Sequence, residues 1–385
     1  MRIGIIAPPW LPVPPLGYGG TEGVLDCLVR GLQAEGHEVL LATTGESTCP
    51  VPKVHVHERA VGIGTGDATA ELLHVLHAYR HLKACDIVHD HTLVGPLYSK
   101  WFPDLQVVTT NHGPFDSTLT PLYRAIAPEV PIIAISHHQA SLAKGIPIAA
   151  VIHHGIDVEE WPIGPGQGGY ALFLGRLHPN KGAHVAARVA RRAGIPLLIA
   201  AKCSEPAEKE YFEAAIRPQL GGGVEYLGEV NREAKAELLG DALCLLNPIA
   251  WPEPFGMVMV EAMACGTPVI ATRSGAAPEI VDDGTVGYLC SSEDALVEAL
   301  GKVASLERER CRSYVAERFS LKRMVRQHVR FYEELLDGSK RASLSSTLWT
   351  ASIGPGAPVP TSAAELALRR PTAPATADLA AREAS

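Results

Sequence analysis

The chain has 385 residues, 46% apolar and 20% charged, an ordinary balance for a soluble globular protein and enough length for two domains. A net charge of −8 argues against a nucleic-acid binder, though it leaves room for a local basic groove. The eight cysteines stand singly with no C-x-x-C spacing, so they read as reduced, intracellular thiols rather than a disulfide frame or a zinc site.

The opening run MRIGIIAPPWLP is too short in its apolar part for a secretion signal and turns into prolines. It predicts a buried first strand over 3–7. No stretch reaches the ~18–20 apolar residues of a membrane span. Helical spacing of Val24, Leu25, Leu28 and Leu32 predicts a helix over 23–35, stopped by Gly36, and a strand follows over 38–42. Further apolar runs at 87–88, 107–110, 132–135 and 151–152 continue the alternation. Continuous apolar strands separated by helices imply a parallel sheet covered on both faces.

The stretch Gly164-Pro165-Gly166-Gln167-Gly168-Gly169 reads as a linker, after which the pattern restarts. Strands are expected at 170–174, 196–201, 224–227, 243–246 and 269–271, with helices at 184–193, 208–217 and 235–239. The expected class is therefore α/β, with two doubly wound, Rossmann-like domains facing a cleft. The domains span 1–163 and 170–320. A final helix over 321–338 carries an apolar face of Met324, Val325, His328, Phe331, Tyr332 and Leu335. After Gly338 the composition collapses into Ala, Pro, Ser and Thr, and 340–385 reads as a disordered tail.

Four constellations carry chemistry. The first is Gly17-Tyr18-Gly19-Gly20-Thr21-Glu22. Its glycines allow close backbone approach and the following helix start favours an anion, although the loop alone reads as a plain turn with Thr21 as N-cap. It is not the G-x-G-x-x-G dinucleotide fingerprint. The second is Gly175-Arg176-Leu177-His178-Pro179-Asn180-Lys181-Gly182, two cations at a strand end before a helix, an arrangement suited to a diphosphate. A solvated cationic turn is the bland alternative.

The third is WPEPFGMVMVEAMACGTPVI. Pro252 and Pro254 stiffen a loop around Glu253, Gly256 opens a helix, and Glu261 lies inside it. The eight-residue spacing means nothing by itself, since Glu38 and Glu46 share it by accident. The context matters: free amides of Phe255, Gly256 and Met257 at a helix start suit an anion. Glu261 suits a hydroxyl pair such as a ribose diol, and Glu253 suits sugar hydroxyls or positive charge developing at an anomeric carbon. Helix-dipole decoration is the alternative. The fourth is His112 before Gly113-Pro114 at a strand end, either cleft-facing or structural. His89-Asp90-His91, His137-His138 and His153-His154 raise the question of a metal. Adjacent side chains of an extended chain point to opposite sides, so neighbours chelate poorly and no metal site is expected.

Together these motifs resemble the GT-B glycosyltransferases, specifically the retaining enzymes of family 4, over about residues 1–336. The resemblance implies transfer of a sugar from a nucleotide-diphosphate sugar, used as substrate with no cofactor, to a hydroxyl acceptor. It implies that Arg176 and Lys181 hold the donor diphosphate and that Gly19 and Gly20 bring the first domain's backbone to the same phosphate. Glu261 would hold the ribose, Glu253 the donor sugar, and Glu229 and Val230 would border the base. The amides of Phe255, Gly256 and Met257 would face sugar or phosphate, with His112 near the reaction centre. The final helix would cross back onto the first domain. Lipid-directed members often carry a basic, apolar first-domain helix, and only a short basic patch at 79–83 stands here, so at most peripheral membrane contact is expected, in a cytoplasmic enzyme. A sugar-nucleotide epimerase of the same architecture and a non-catalytic sugar-nucleotide-binding protein remain alternatives.

Overall fold

The structure, a computed structural model, describes residues 1–62 and 68–351. Residues Met1–Asp337 form one compact unit, which contains both sheets and the site.

The unit is built on two sheets. The first comprises β1 (Arg2–Ile6), β2 (Glu38–Ala42), β3 (Lys53–Val54), β4 (Ile87–Asp90), β5 (Gln106–Thr110), β6 (Ile132–Ala134) and β7 (Ile148–Val151), in the order β3-β2-β1-β4-β5-β6-β7. The second comprises β8 (Ala171–Arg176), β9 (Leu197–Lys202), β10 (Val224–Gly228), β11 (Cys244–Asn247), β12 (Val269–Thr272) and β13 (Gly287–Cys290), in the order β10-β9-β8-β11-β12-β13. Every pairing is parallel. The expected α/β class with two doubly wound sheets is therefore what the chain adopts.

The sequence explains the burial. In β1, Ile3, Ile5 and Ile6 are all fully buried, so both faces of this central strand are covered. Helix Gly20–Ala34 turns Val24, Leu25, Leu28 and Leu32 onto the same core. Strand order reverses between β1 and β4 in one sheet and between β8 and β11 in the other. A crevice opens beyond the strand ends at each such point, which is where the glycine loop after β1 and Arg176 at the end of β8 stand.

Several boundaries differ from expectation. The first helix begins at Gly20 rather than 23, so Thr21 lies inside it and is not its N-cap. The expected helix over 208–217 is a short helix, Pro206–Tyr211, followed by a π turn, Phe212–Ile216. The last helix runs from Leu321 through Gly338 to Ala351, so the tail expected from 340 is helical as far as 351. The remainder of that expected tail lies outside the described residues. Met324, Val325, Phe331 and Tyr332 of this helix join the core around Ile3 and Leu28. No disulfide joins any of the eight cysteines.

Candidate active site

The two sheets border a cavity of about 540 Å³. Gly19, Gly20, His112, Arg176, Lys181, Glu229, Val230, Glu253, Phe255, Gly256, Met257 and Glu261 all line it. Residues scattered over most of the chain thus meet in one place, of a size suited to a small-molecule ligand.

The anion-binding elements come from both sides. A Cβ on Gly19 would stand 2.6 Å from Pro15 Cβ, so this glycine is required by local packing. A Cβ on Gly20 would meet nothing within 4 Å, so the backbone there is bare toward the cavity. Opposite, Gly256 has φ +102°, a left-handed conformation that permits the turn from the proline loop into helix Met257–Ala264. The first amides of that helix have no intrahelical acceptor and face the cavity end. Arg176 makes no ion pair with any described residue, so its charge is available to a ligand.

Both glutamates are engaged. Lys181 Nζ donates to Glu253 at 2.6 Å to each oxygen, and Trp251 Nε1 donates to Glu253 Oε2 at 3.0 Å. Lys235 Nζ donates to Glu261 Oε1 at 2.9 Å and lies 4.9 Å from the centre of the Trp161 ring. Arg232 stands over the same ring at 5.3 Å and pairs with Glu160. Glu229 reaches across the cavity, where its Oε1 accepts the backbone N–H of Tyr18 at 2.7 Å.

His112 sits in a stack of rings. Its Nε2 lies 2.8 Å from His91 Nδ1, and its ring is stacked on His154 at 5.3 Å, which meets Phe255 edge-on at 5.1 Å. Burial, with a smaller push from His328, lowers its pKa to about 4, so it is neutral at pH 7. Glu22, also at the cavity, is driven the other way: burial raises its carboxyl to about 6.

Sequence reasoning missed Lys235, Trp251, Trp161 and His154 as cavity residues, and His91 as the partner of His112. Trp251 stood two residues from Glu253 and offered a signal. Lys235 did not, because it meets Glu261 only through packing of helix Arg232–Asp241 against helix Met257–Ala264. The basic patch near 79–83 also changes. Tyr79 is fully buried, whereas the same helix, Ala68–Leu82, exposes Leu72 and Leu73 in its first half and Arg80 and His81 in its last turn.

Known proteins share this fold. A model described as Glycosyltransferase Family 4 matches residues 18–160, and one described as Glycosyl transferases group 1 matches residues 162–318. The phosphatidyl-myo-inositol mannosyltransferase of Mycobacterium leprae is 27% identical over 90% of this chain and 100% of its own length. AviGT4, a glycosyltransferase involved in avilamycin A biosynthesis, superposes with a TM-score of 0.68 at 26% identity, covering 88% of this chain and 98% of its own. Anabaena HepE in complex with UDP-glucose has the same fold, with a TM-score of 0.68 at 18% identity, covering 88% of this chain and 100% of its own. With two parallel sheets, one cavity between them and both halves matched in order, this chain belongs to the GT-B glycosyltransferases, its first half of the family 4 type and its second of group 1.

Proposed function

We propose that this glycosyltransferase takes its sugar from a nucleotide-diphosphate sugar, bound mainly by the second domain, and passes it with retention to an acceptor hydroxyl on the first-domain side. The observation that carries this reading is Arg176, a cation without an ion-pair partner among the described residues, in one cavity with Lys181 and the start of helix Met257–Ala264. Departing diphosphate needs positive charge, and these groups supply it in place before reaction. No metal is then required at the donor.

The bond between the anomeric carbon and the diphosphate oxygen breaks, and the oxygen keeps the electron pair. Positive charge develops on the sugar near Glu253. The acceptor oxygen bonds to the anomeric carbon from the face the phosphate leaves, and its proton passes to a phosphate oxygen. Glu261 holds the ribose diol, the backbone at Gly19 and Gly20 approaches the phosphate, and Glu229 and Val230 border the base. The Nε2 of His112 is engaged with His91, so its contact with the sugar falls to Nδ1. Glu22 offers a carboxyl to a hydroxyl of the acceptor.

The acceptor has a second reading, a lipid hydroxyl at a membrane surface. Leu72 and Leu73, 44% and 48% exposed on the helix that carries Arg80 and His81 in its last turn, support it, as does the likeness to the mycobacterial phosphatidyl-myo-inositol mannosyltransferase. Among the described residues no helix is long and apolar enough to cross a membrane, so such contact would be peripheral. The unpaired cysteines fit action in the reducing cytoplasm.

The test is a panel of nucleotide sugars with and without hydroxyl acceptors and anionic vesicles, read as released nucleoside diphosphate and as the anomeric configuration of the product. Transfer with retention is expected. Interconversion of nucleotide sugars without an acceptor would favour the epimerase, and binding without turnover would favour a non-catalytic binder.

A further inference from the structure

Three histidine pairs stand in the sequence, and two of them part company in the fold. His154 turns into the cavity, where it stacks on His112, while its neighbour His153 turns away from it toward Glu279. His137, the first residue of helix His137–Leu142, approaches the same carboxylate from the first domain. One ring from each pair thus meets Glu279, which belongs to the short helix Ala277–Ile280 of the second domain. The alternation that makes neighbouring side chains poor joint ligands is what lets non-neighbours converge.

We propose that His137, His153 and Glu279 bind a zinc-type divalent cation that ties the two domains together. Their candidate ligand atoms lie within 4.8 Å of one another. His153 Nε2 is 2.8 Å from Glu279 Oε2. Glu279 is already aimed: its Oε2 accepts the backbone N–H of His137 at 2.8 Å, and its Oε1 accepts that of His138 at 2.6 Å. Hydrogen bonds that orient a ligating carboxylate are a regular feature of metal sites. Zinc bonds to imidazole nitrogen at about 2.0–2.1 Å and to carboxylate oxygen at about 2.0–2.2 Å. Occupation therefore opens the His153–Glu279 hydrogen bond slightly and draws in His137, which is exposed and able to turn. Two imidazoles with one carboxylate select zinc and its neighbours over magnesium or calcium, which prefer oxygen ligands throughout. Three protein ligands leave a fourth position for water.

None of the three residues lines the donor cavity, so the cation does not touch the reacting groups. Its effect is on how the two domains are held together. His137 lies beyond β6, His153 beyond β7, and Glu279 in the other domain, so a bound ion holds the lobes in the relation seen here. Metal that binds only this folded arrangement raises the melting temperature.

The test uses the full chain stripped with chelator and titrated with zinc chloride by calorimetry, with Co2+ as a spectroscopic probe. The expected result is one ion per chain, a raised melting temperature, and the intense visible bands of four-coordinate Co2+. His137→Ala, at an exposed position that leaves the core intact, should weaken zinc binding at least about tenfold, as should His153→Ala, while His138→Ala should leave it unchanged. Zinc binding no tighter in the wild type than in the His137→Ala/His153→Ala double variant would overturn the proposal. Loss confined to His138→Ala would overturn the ligand set.

Discussion

Lys181 Nζ lies 2.6 Å from both carboxylate oxygens of Glu253, so the cation suited to the diphosphate and the carboxylate suited to the sugar form a single pair before any donor arrives. Both side chains are largely shielded, at 15% and 13% exposure. The pair keeps Lys181 in place and offsets its charge. On the proposed reading, an arriving diphosphate would compete with Glu253 for it, and release of Glu253 toward the sugar would couple phosphate recognition to the reacting carbon.

This coupling gives an asymmetric expectation for the two partners. Lys181→Ala should weaken nucleoside diphosphate binding by about tenfold or more, the value of a charged hydrogen bond of ~1.5–3 kcal/mol. Glu253→Gln should leave that binding equal or tighter, because Lys181 is freed, while kcat falls by about 100-fold. Calorimetry and steady-state kinetics on both variants check the pattern. Weaker diphosphate binding in Glu253→Gln would count against it.

Lys235 and Glu261 should behave as a unit. Glu261→Ala and Lys235→Ala are each expected to raise the donor KM by about tenfold, and the double variant should do little more than either alone, since residues in one ion pair are not additive. A double-mutant cycle measures this. Fully additive effects would mean that the two side chains serve the donor separately.

Acid should loosen the fold through its buried imidazoles. His89, His91, His112 and His328 are kept neutral chiefly by burial, with His112 and His328 lowered to about 4. Unfolded imidazole titrates near ~6.5. Between pH 6.5 and 4 the unfolded chain takes up protons that the folded chain refuses, so this stabilisation is complete above 6.5 and is lost as pH falls toward 4. Asp90, raised to about 7 by burial, acts oppositely, its contribution being lost as pH rises through that value. Four imidazoles outweigh it. Urea midpoints should therefore fall from pH 7.5 to pH 5, and less steeply in His328→Gln. An unchanged slope in that variant would exclude the explanation.

Catalysis should proceed in excess chelator if, as proposed, the charge at the donor comes from Arg176, Lys181 and amides. Turnover after chelation is expected to stay within about twofold, since the donor groups supply the stabilisation themselves. Abolition by chelator with rescue by Mg2+ or Mn2+ would place a metal at the donor.

Much of this architecture was legible because apolar runs and glycines bound its elements sharply. Residues 38–42 between Gly36 and a polar turn read as a strand and form one with those limits. Legibility failed where structure depends on distant packing. Lys53–Val54 is a strand because β2 provides its ladder, and two residues carry no pattern of their own. The last helix was expected to end at 338, where the composition changes, yet it passes through Gly338, since a glycine lowers helix stability by only ~1 kcal/mol against alanine. The cavity glutamates were visible from their rigid loop and helix, but their lysine partners were not both visible as partners. Lys181 is 72 positions from Glu253 and Lys235 is 26 from Glu261. Histidine pairs were judged by their neighbours, whereas the fold brings His137 and His153 of the first domain to Glu279 of the second.

The most direct test is the affinity of a nucleoside diphosphate for the wild type and for Arg176→Ala/Lys181→Ala, measured by calorimetry at one salt concentration. Measurable binding is expected in the wild type, with a loss of about 100-fold or more in the double variant, two charged hydrogen-bonding groups being removed at ~1.5–3 kcal/mol each. Equal affinity in the two proteins would contradict it.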